Sequence, residues 1–174
     1  MQRRVWPVWT YYAIAALVFL IDYVSKKVVV NTIRENDQIK VLGNFFWLTS
    51  IRNRGAAFSI MQEQRWFFLT VTVVVAGAII WYVQRSYRTG SRLLLVALGM
   101  ILGGALGNFL DRALYGEVVD FLQFNFGSYT FPVFNLADSG ICVGVALVIL
   151  DSLLSNKREN RSNDNGESTR EQPI

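Results

Sequence analysis

Two stretches of this chain run uncharged for the length of a bilayer crossing, Trp66 to Gln84 (19 residues) and Leu93 to Leu110 (18 residues). At ~1.5 Å of helical rise per residue, each nearly fills the ~30 Å hydrocarbon slab. A helix satisfies its backbone polar groups within one segment, so runs of this kind fold as membrane-spanning helices. Two further runs are interrupted by an acid. Val5 to Ile21 is uncharged until Asp22, and the apolar run Phe131 to Leu136 resumes beyond Asp138 as Ser139 to Leu150. With 52% hydrophobic side chains in 174 residues, the chain is too apolar for most water-soluble folds of its size. The expected fold class is an all-α integral membrane protein with four transmembrane helices at about 9–30, 66–84, 92–112 and 136–154. One membrane-embedded domain then covers 1–154, and the polar tail 155–174 is expected to be disordered.

The segments between the spans have their own pattern. Ile39 to Leu42, a Gly43-Asn44 turn and Phe45 to Ile51 alternate like strands, and Val118 to Phe126 alternates again. A small sheet resting on the membrane follows, with Phe45, Phe46 and Trp47 at the headgroup level. Asn53 to Ser59 is too rich in glycine and alanine for a stable strand and is expected to be a shaped loop. Gly99, Gly103 and Gly107 recur every fourth residue on the third span, and Gly140 and Gly144 repeat the spacing on the fourth. Such stripes let helix backbones approach closely, and packing is their expected role.

Charge sets an expected orientation. Arg85, Arg88 and Arg92 crowd the turn between the second and third spans, whereas Ala113 to Phe134 contains no Lys or Arg. That contrast places the arginine turn and both termini in the cytoplasm, in agreement with Arg3, Arg4, Lys157, Arg158 and Arg161. The net charge of +4 is then accounted for by topology and anionic lipid, without nucleic acid. The first span has no convincing small-residue cleavage site behind it and is expected to be retained. The sequence contains no histidine and one cysteine, Cys142. Histidine-based zinc sites and nucleophile–histidine pairs are thereby excluded, and no metal or other cofactor is expected.

The polar residues near the spans carry the chemistry. Asp120, in Val-Val-Asp-Phe-Leu, and Asp138, in Phe-Asn-Leu-Ala-Asp-Ser-Gly, bracket the start of the last apolar run. A carboxylate near hydrocarbon is costly unless paired or used, so the two are candidates for a catalytic pair. Asp138 also fits a simpler role, since Asn135 is placed to cap the last helix with an acid three residues on. Asn108, Asp111 and Arg112 share one face of the third span at i, i+3 and i+4, either as a self-satisfied cluster or, for Asn108 and Arg112, as donors to peptide carbonyls. Asp22 and Lys26, at i and i+4, are expected to form an ion pair. Cys142 is expected to be an inert packing thiol. A Ser–Lys dyad drawing on Ser59 or Ser139 with Lys26 or Lys27 is disfavoured. A channel would need polar residues through the midplane of several spans, whereas these gather at one end.

Taken in order, five motifs resemble the bacterial lipoprotein signal peptidase (signal peptidase II) family: Asp22-Tyr23-Val24-Ser25-Lys26, Asn53-Arg54-Gly55-Ala56-Ala57-Phe58-Ser59, Gly103 to Arg112, Val118-Val119-Asp120-Phe121, and Phe134-Asn135-Leu136-Ala137-Asp138. The resemblance implies a four-helix inner-membrane protease with an extracytoplasmic β-cradle, an aspartic endopeptidase. Its substrate is a diacylglyceryl-modified prolipoprotein, cut just before the lipobox cysteine. It implies Asp120 and Asp138 as the catalytic dyad and Asn53, Asn108, Arg112 and Asn135 as polar residues around the substrate channel. Asp22, Lys26, Gly55, Asp111 and Ala137 take supporting places. The cyclic peptide globomycin is the implied inhibitor.

Overall fold

The computed structural model describes residues 5–55 and 62–168, with side chains to residue 157. The chain forms four helices, α1 (Trp9–Thr32), α2 (Arg65–Ser86), α3 (Arg92–Tyr115) and α4 (Leu136–Ser168), and a four-stranded antiparallel sheet. Its strands are β1 (Gln38–Leu42), β2 (Phe46–Asn53), β3 (Val118–Phe126) and β4 (Tyr129–Thr130), adjacent in that sequence. Among the described residues, α2, α3 and residues 136–157 of α4 are long and apolar enough to cross a membrane. α1 is of similar length but carries Asp22, Lys26 and Lys27. α4 runs past the expected end of its span at 154: its backbone stays helical to Ser168, where the composition predicts disorder from 155. No proline falls between Leu136 and Ser168 to stop the helix.

α3 is the central element and touches each of the other helices. Its glycines explain how. A Cβ on Gly99 would meet the Tyr11 carbonyl oxygen at 2.7 Å, and one on Gly103 would collide with the Ala15 carbonyl, so α1 lies directly on this stripe. Gly104 faces α4 in the same way, against the Ala137 carbonyl, and Gly144 returns the contact, with the Ala97 carbonyl 2.8 Å from where its Cβ would lie. Backbone-to-backbone packing of this kind supplies van der Waals contact where hydrocarbon offers no hydrophobic incentive for helices to meet. α2 is attached more lightly, burying Ala76, Ile79 and Val83 on one stripe and leaving Val73, Val74 and Trp81 exposed.

The sheet is joined to the bundle at one end. Gly116 ends α3 in the left-handed region (φ 78°), its N–H donating to the Arg112 carbonyl at 3.1 Å, and so turns the chain into β3. β3 then alternates: Val119 and Phe121 pack with Val29 and Ile33 at the end of α1, while Val118 and Asp120 face the other way. β2 pairs with β3 in the register Ile51↔Asp120, Arg52↔Val119 and Asn53↔Val118, with an irregularity between Leu48 and Ile51.

Candidate active site

The site forms where β3, the end of β2, the last turns of α3 and the first turn of α4 converge. Asn53 lies diagonally across the β2–β3 pair from Asp120, within side-chain reach. Its Nδ2 donates to Asp120 Oδ2 at 2.8 Å. Asn135 donates to the other oxygen, Nδ2 to Oδ1 at 2.7 Å. At the start of α4, Asn135 and Asp138 form a reciprocal cap: the Asp138 N–H donates to Asn135 Oδ1 at 3.0 Å, and the Asn135 N–H donates to Asp138 Oδ2 at 3.3 Å. Capping and pairing with Asp120 are thus two uses of one residue pair, because the Asn135 side chain ties the capped helix start to the strand.

Asn108 completes the frame. Its Nδ2 donates to Asp138 Oδ1 at 2.7 Å, and its Oδ1 accepts from Lys26 Nζ at 2.9 Å and from Asn135 Nδ2 at 3.2 Å. A lysine ammonium only donates, so it fixes which end of the Asn108 amide turns toward Asp138. The same logic orients Asn53, whose Oδ1 accepts from the Gly55 N–H at 2.9 Å. Lys26 itself is buried between Asp22 at 2.7 Å and Asp111 at 2.9 Å. Asp22 in turn accepts from the Ala137 N–H at 2.8 Å, one residue before Asp138. Gly107 permits this arrangement, since a Cβ there would come within 2.5 Å of Asp22 Oδ2. The face shared by Asn108, Asp111 and Arg112 therefore divides: Asp111 turns to Lys26, Asn108 to Asp138, and Arg112 donates from Nη2 to the Gly55 carbonyl at 3.0 Å. Arg112 also lies over the Phe68 ring at 4.7 Å.

Both acids border a cavity of about 460 Å³, together with Asn53, Asn108 and Arg112. Phe131, Pro132, Val133, Phe134 and Ile141 complete its wall. A second hollow of about 430 Å³ shares Asn53, Asp120 and the Phe131–Val133 segment and extends over β2 to Ile51 and Tyr129. Asn135 is fully buried and does not border the first cavity; it stands behind the acids. Burial pushes the Asp120 carboxyl up to about 6, against the lowering effect of its hydrogen bond from Asn53; the negative charge of Asp138 adds to the rise.

One sequence expectation meets a different geometry. Cys142 is exposed on the cavity wall one turn beyond Asp138 and does not pack in a core, because that side of α4 faces the open hollow. In keeping with the disfavoured Ser–Lys dyad, Ser139 Oγ donates to the Asn135 carbonyl at 3.0 Å and Lys26 is held by other partners. Ala56, Ala57, Phe58 and Ser59 of the loop motif, like Arg3 and Arg4, lie outside the described residues. The Phe131–Phe134 wall went unread in the sequence, where Phe-Pro marks only the approach to a helix. The Leu122↔Phe134 bridge is what holds it beside Asp120.

A helical membrane fold that presents two carboxylates and a set of oriented amides to one cavity defines a multi-pass membrane protein with a buried polar site. The comparisons make the class specific. The model of the family described as signal peptidase (SPase) II matches residues 14–154. The chain is 45% identical over 152 residues to the lipoprotein signal peptidase of Bacillus pumilus (strain SAFR-032), covering 87% of this chain and 97% of that one. Two solved structures, each described as a bacterial membrane enzyme obtained by the in meso method, are similar over most of their length. The one at 2.3 Å superposes with a TM-score of 0.81 at 35% identity, over 91% of this chain and 95% of its own. The one at 1.9 Å gives 0.76 at 36%, over 88% and 97%. This chain belongs to the signal peptidase II family and is a membrane protease of lipoprotein processing.

Proposed function

We propose that the protein is an aspartic endopeptidase that removes the signal peptide from diacylglyceryl-modified prolipoproteins, cutting before the lipobox cysteine, with Asp120 and Asp138 activating water. The observation that carries this reading is the single cavity bordered by both carboxylates, each held by directed amide donors. Two neighbouring carboxylates do not both ionise cheaply, so the pair holds one proton between them. Burial favours keeping it on Asp120. Asp138, in the first turn of α4, sits where the helix dipole favours a negative charge. The ionised Asp138 takes a proton from water as its oxygen adds to the scissile carbonyl carbon. Asp120 gives its proton to the carbonyl oxygen; Asp138 then passes the proton it took from water to the leaving nitrogen, and as the C–N bond breaks the diol hydroxyl returns a proton to Asp120. The products are a signal peptide ending in a carboxylate and a lipid-modified cysteine with a free amino group.

Asn53 and Arg112 border the cavity as donors that hold the peptide extended and favour charge developing on oxygen. The hollow over β2 suits the extended peptide, and the Phe131–Ile141 side suits the diacylglyceryl chains. In this reading all four helices cross the bacterial cytoplasmic membrane, the sheet and site lie at the extracytoplasmic face, and both termini are cytoplasmic. Asn135, Lys26, Asp22, Asp111, Gly55 and Ala137 act by positioning the cavity residues. The test is a gel-shift assay with purified protein and one precursor supplied with and without its diacylglyceryl group. The modified form is expected to be shortened and globomycin to suppress the reaction. Equal cleavage of the unmodified precursor contradicts the substrate assignment.

A further inference from the structure

At the end of the molecule remote from the acids, α1 and α3 both begin next to the 87–91 turn. A hollow of about 310 Å³ lies there, walled in part by Trp6, Tyr11, Arg88, Ser91 and Arg92. Tyr11 is 1% exposed, and its hydroxyl is buried without a hydrogen-bond partner among the described residues. Buried hydroxyls normally find a partner, and one that does not calls for an explanation. The charge around it is positive. Neither α1 nor α3 has a side-chain cap or an acid in its first turn, so both helix starts present partial positive charge. Arg92 lies over the Trp6 ring at 5.5 Å and Arg88 over Tyr87 at 5.2 Å. Asp151 of α4 brings a carboxylate to this end, where it accepts from Ser91 Oγ. Trp6, Trp9 and Trp81 are exposed at this end, and tryptophans exposed in this way mark the level of lipid headgroups.

We propose that this hollow binds the phosphodiester of an anionic phospholipid headgroup, with the Tyr11 hydroxyl and the guanidinium groups of Arg88 and Arg92 as donors. Val5 and Leu93 on its wall give the glycerol end an apolar border. A free phosphate ion offers the same oxygens but gains nothing from the tryptophan belt or the apolar border.

The test titrates the purified full chain with short-chain phosphatidylglycerol, short-chain phosphatidylcholine or inorganic phosphate and follows its thermal unfolding, for wild type, Tyr11→Phe, Arg92→Gln and Arg88→Gln. Phosphatidylglycerol is expected to raise the Tm of wild type. The concentration giving half the rise should increase about tenfold in Tyr11→Phe, the scale of one hydrogen bond to a charged group, and at least as much in Arg92→Gln. Without lipid, Tyr11→Phe should unfold at or above the wild-type temperature, because the lost hydroxyl has no partner among the described residues. An equal rise with phosphatidylcholine, an equal rise with inorganic phosphate at the same concentration, or unchanged titrations in Tyr11→Phe and Arg92→Gln would each overturn the proposal.

Discussion

The three asparagines of the site are worth as much attention as the two acids. Each amide is turned by a group that can only donate, Lys26 Nζ for Asn108, the Gly55 N–H for Asn53 and the Asp138 N–H for Asn135, so each Nδ2 is left facing a carboxylate. Lys26 is the origin of one such chain, and breaking a buried ion pair leaves its partners uncompensated. Lys26→Met is expected to lower stability by about 3–5 kcal/mol, measured by thermal unfolding in detergent. A loss below about 1 kcal/mol would mean that Asp22 and Asp111 do not depend on it. Arg112→Lys should reduce cleavage severely, since an ammonium does not reproduce the forked guanidinium that reaches the Gly55 carbonyl and lies over Phe68. A rate close to wild type removes Arg112 from the account.

Asp120 also makes a pH prediction. Its folded value, about 6, lies above the ordinary carboxylate value of about 3.9. The protonated form is therefore favoured by the fold. Its contribution to stability is fully present below pH ~4 and is lost as pH rises through about 6, up to about 3 kcal/mol for two units. Asp120→Asn should flatten the fall in Tm between pH 4 and 7, and a variant with the wild-type slope would contradict the assignment. The acids were legible in the sequence because a carboxylate stands out between Val119 and Phe121. The amide directions were not, because Lys26 and Asn108 are 82 residues apart and no local pattern records which donor meets which amide.

At the level of elements, the helices were readable because an uncharged run of bilayer length leaves the backbone few alternatives. The glycine stripes were equally readable as packing surfaces, although which partner each glycine meets was not. That distinction can be measured. Gly103→Ala drives a methyl group into the Ala15 carbonyl and is expected to cost about 1–3 kcal/mol by overpacking. Gly77→Ala meets nothing within 4 Å and should instead stabilise α2 by about 0.5–1 kcal/mol, as alanine does in a helix interior. Equal effects in thermal unfolding would show that α1 does not lie on α3 as described. The sheet was legible in outline from alternation, but the shift between Leu48 and Ile51 that sets Asn53 against Asp120 depends on long-range pairing. Past residue 154 low hydropathy alone says little about the backbone, which continues helical to Ser168 in the structure.

Across the whole molecule, the buried carboxylates and amides gather at one end of the bundle, while Arg85, Arg88 and Arg92 crowd the turn at the other. Asn108 and Arg112 stand in the last turns of α3, Arg92 at its start, with Leu93 to Leu110 uncharged between. This polarity underlies the orientation we propose and the end of the bundle at which we place hydrolysis. The claim on which the rest depends is that Asp120 and Asp138 act together on one water. Its most direct test is a single-turnover assay with enzyme in excess over a diacylglyceryl prolipoprotein, followed by mass spectrometry, for wild type, Asp120→Asn and Asp138→Asn, each shown to bind the substrate. Both variants are expected to lose at least about 10²–10⁴-fold in cleavage rate while still binding. Wild-type cleavage by either variant would contradict the account.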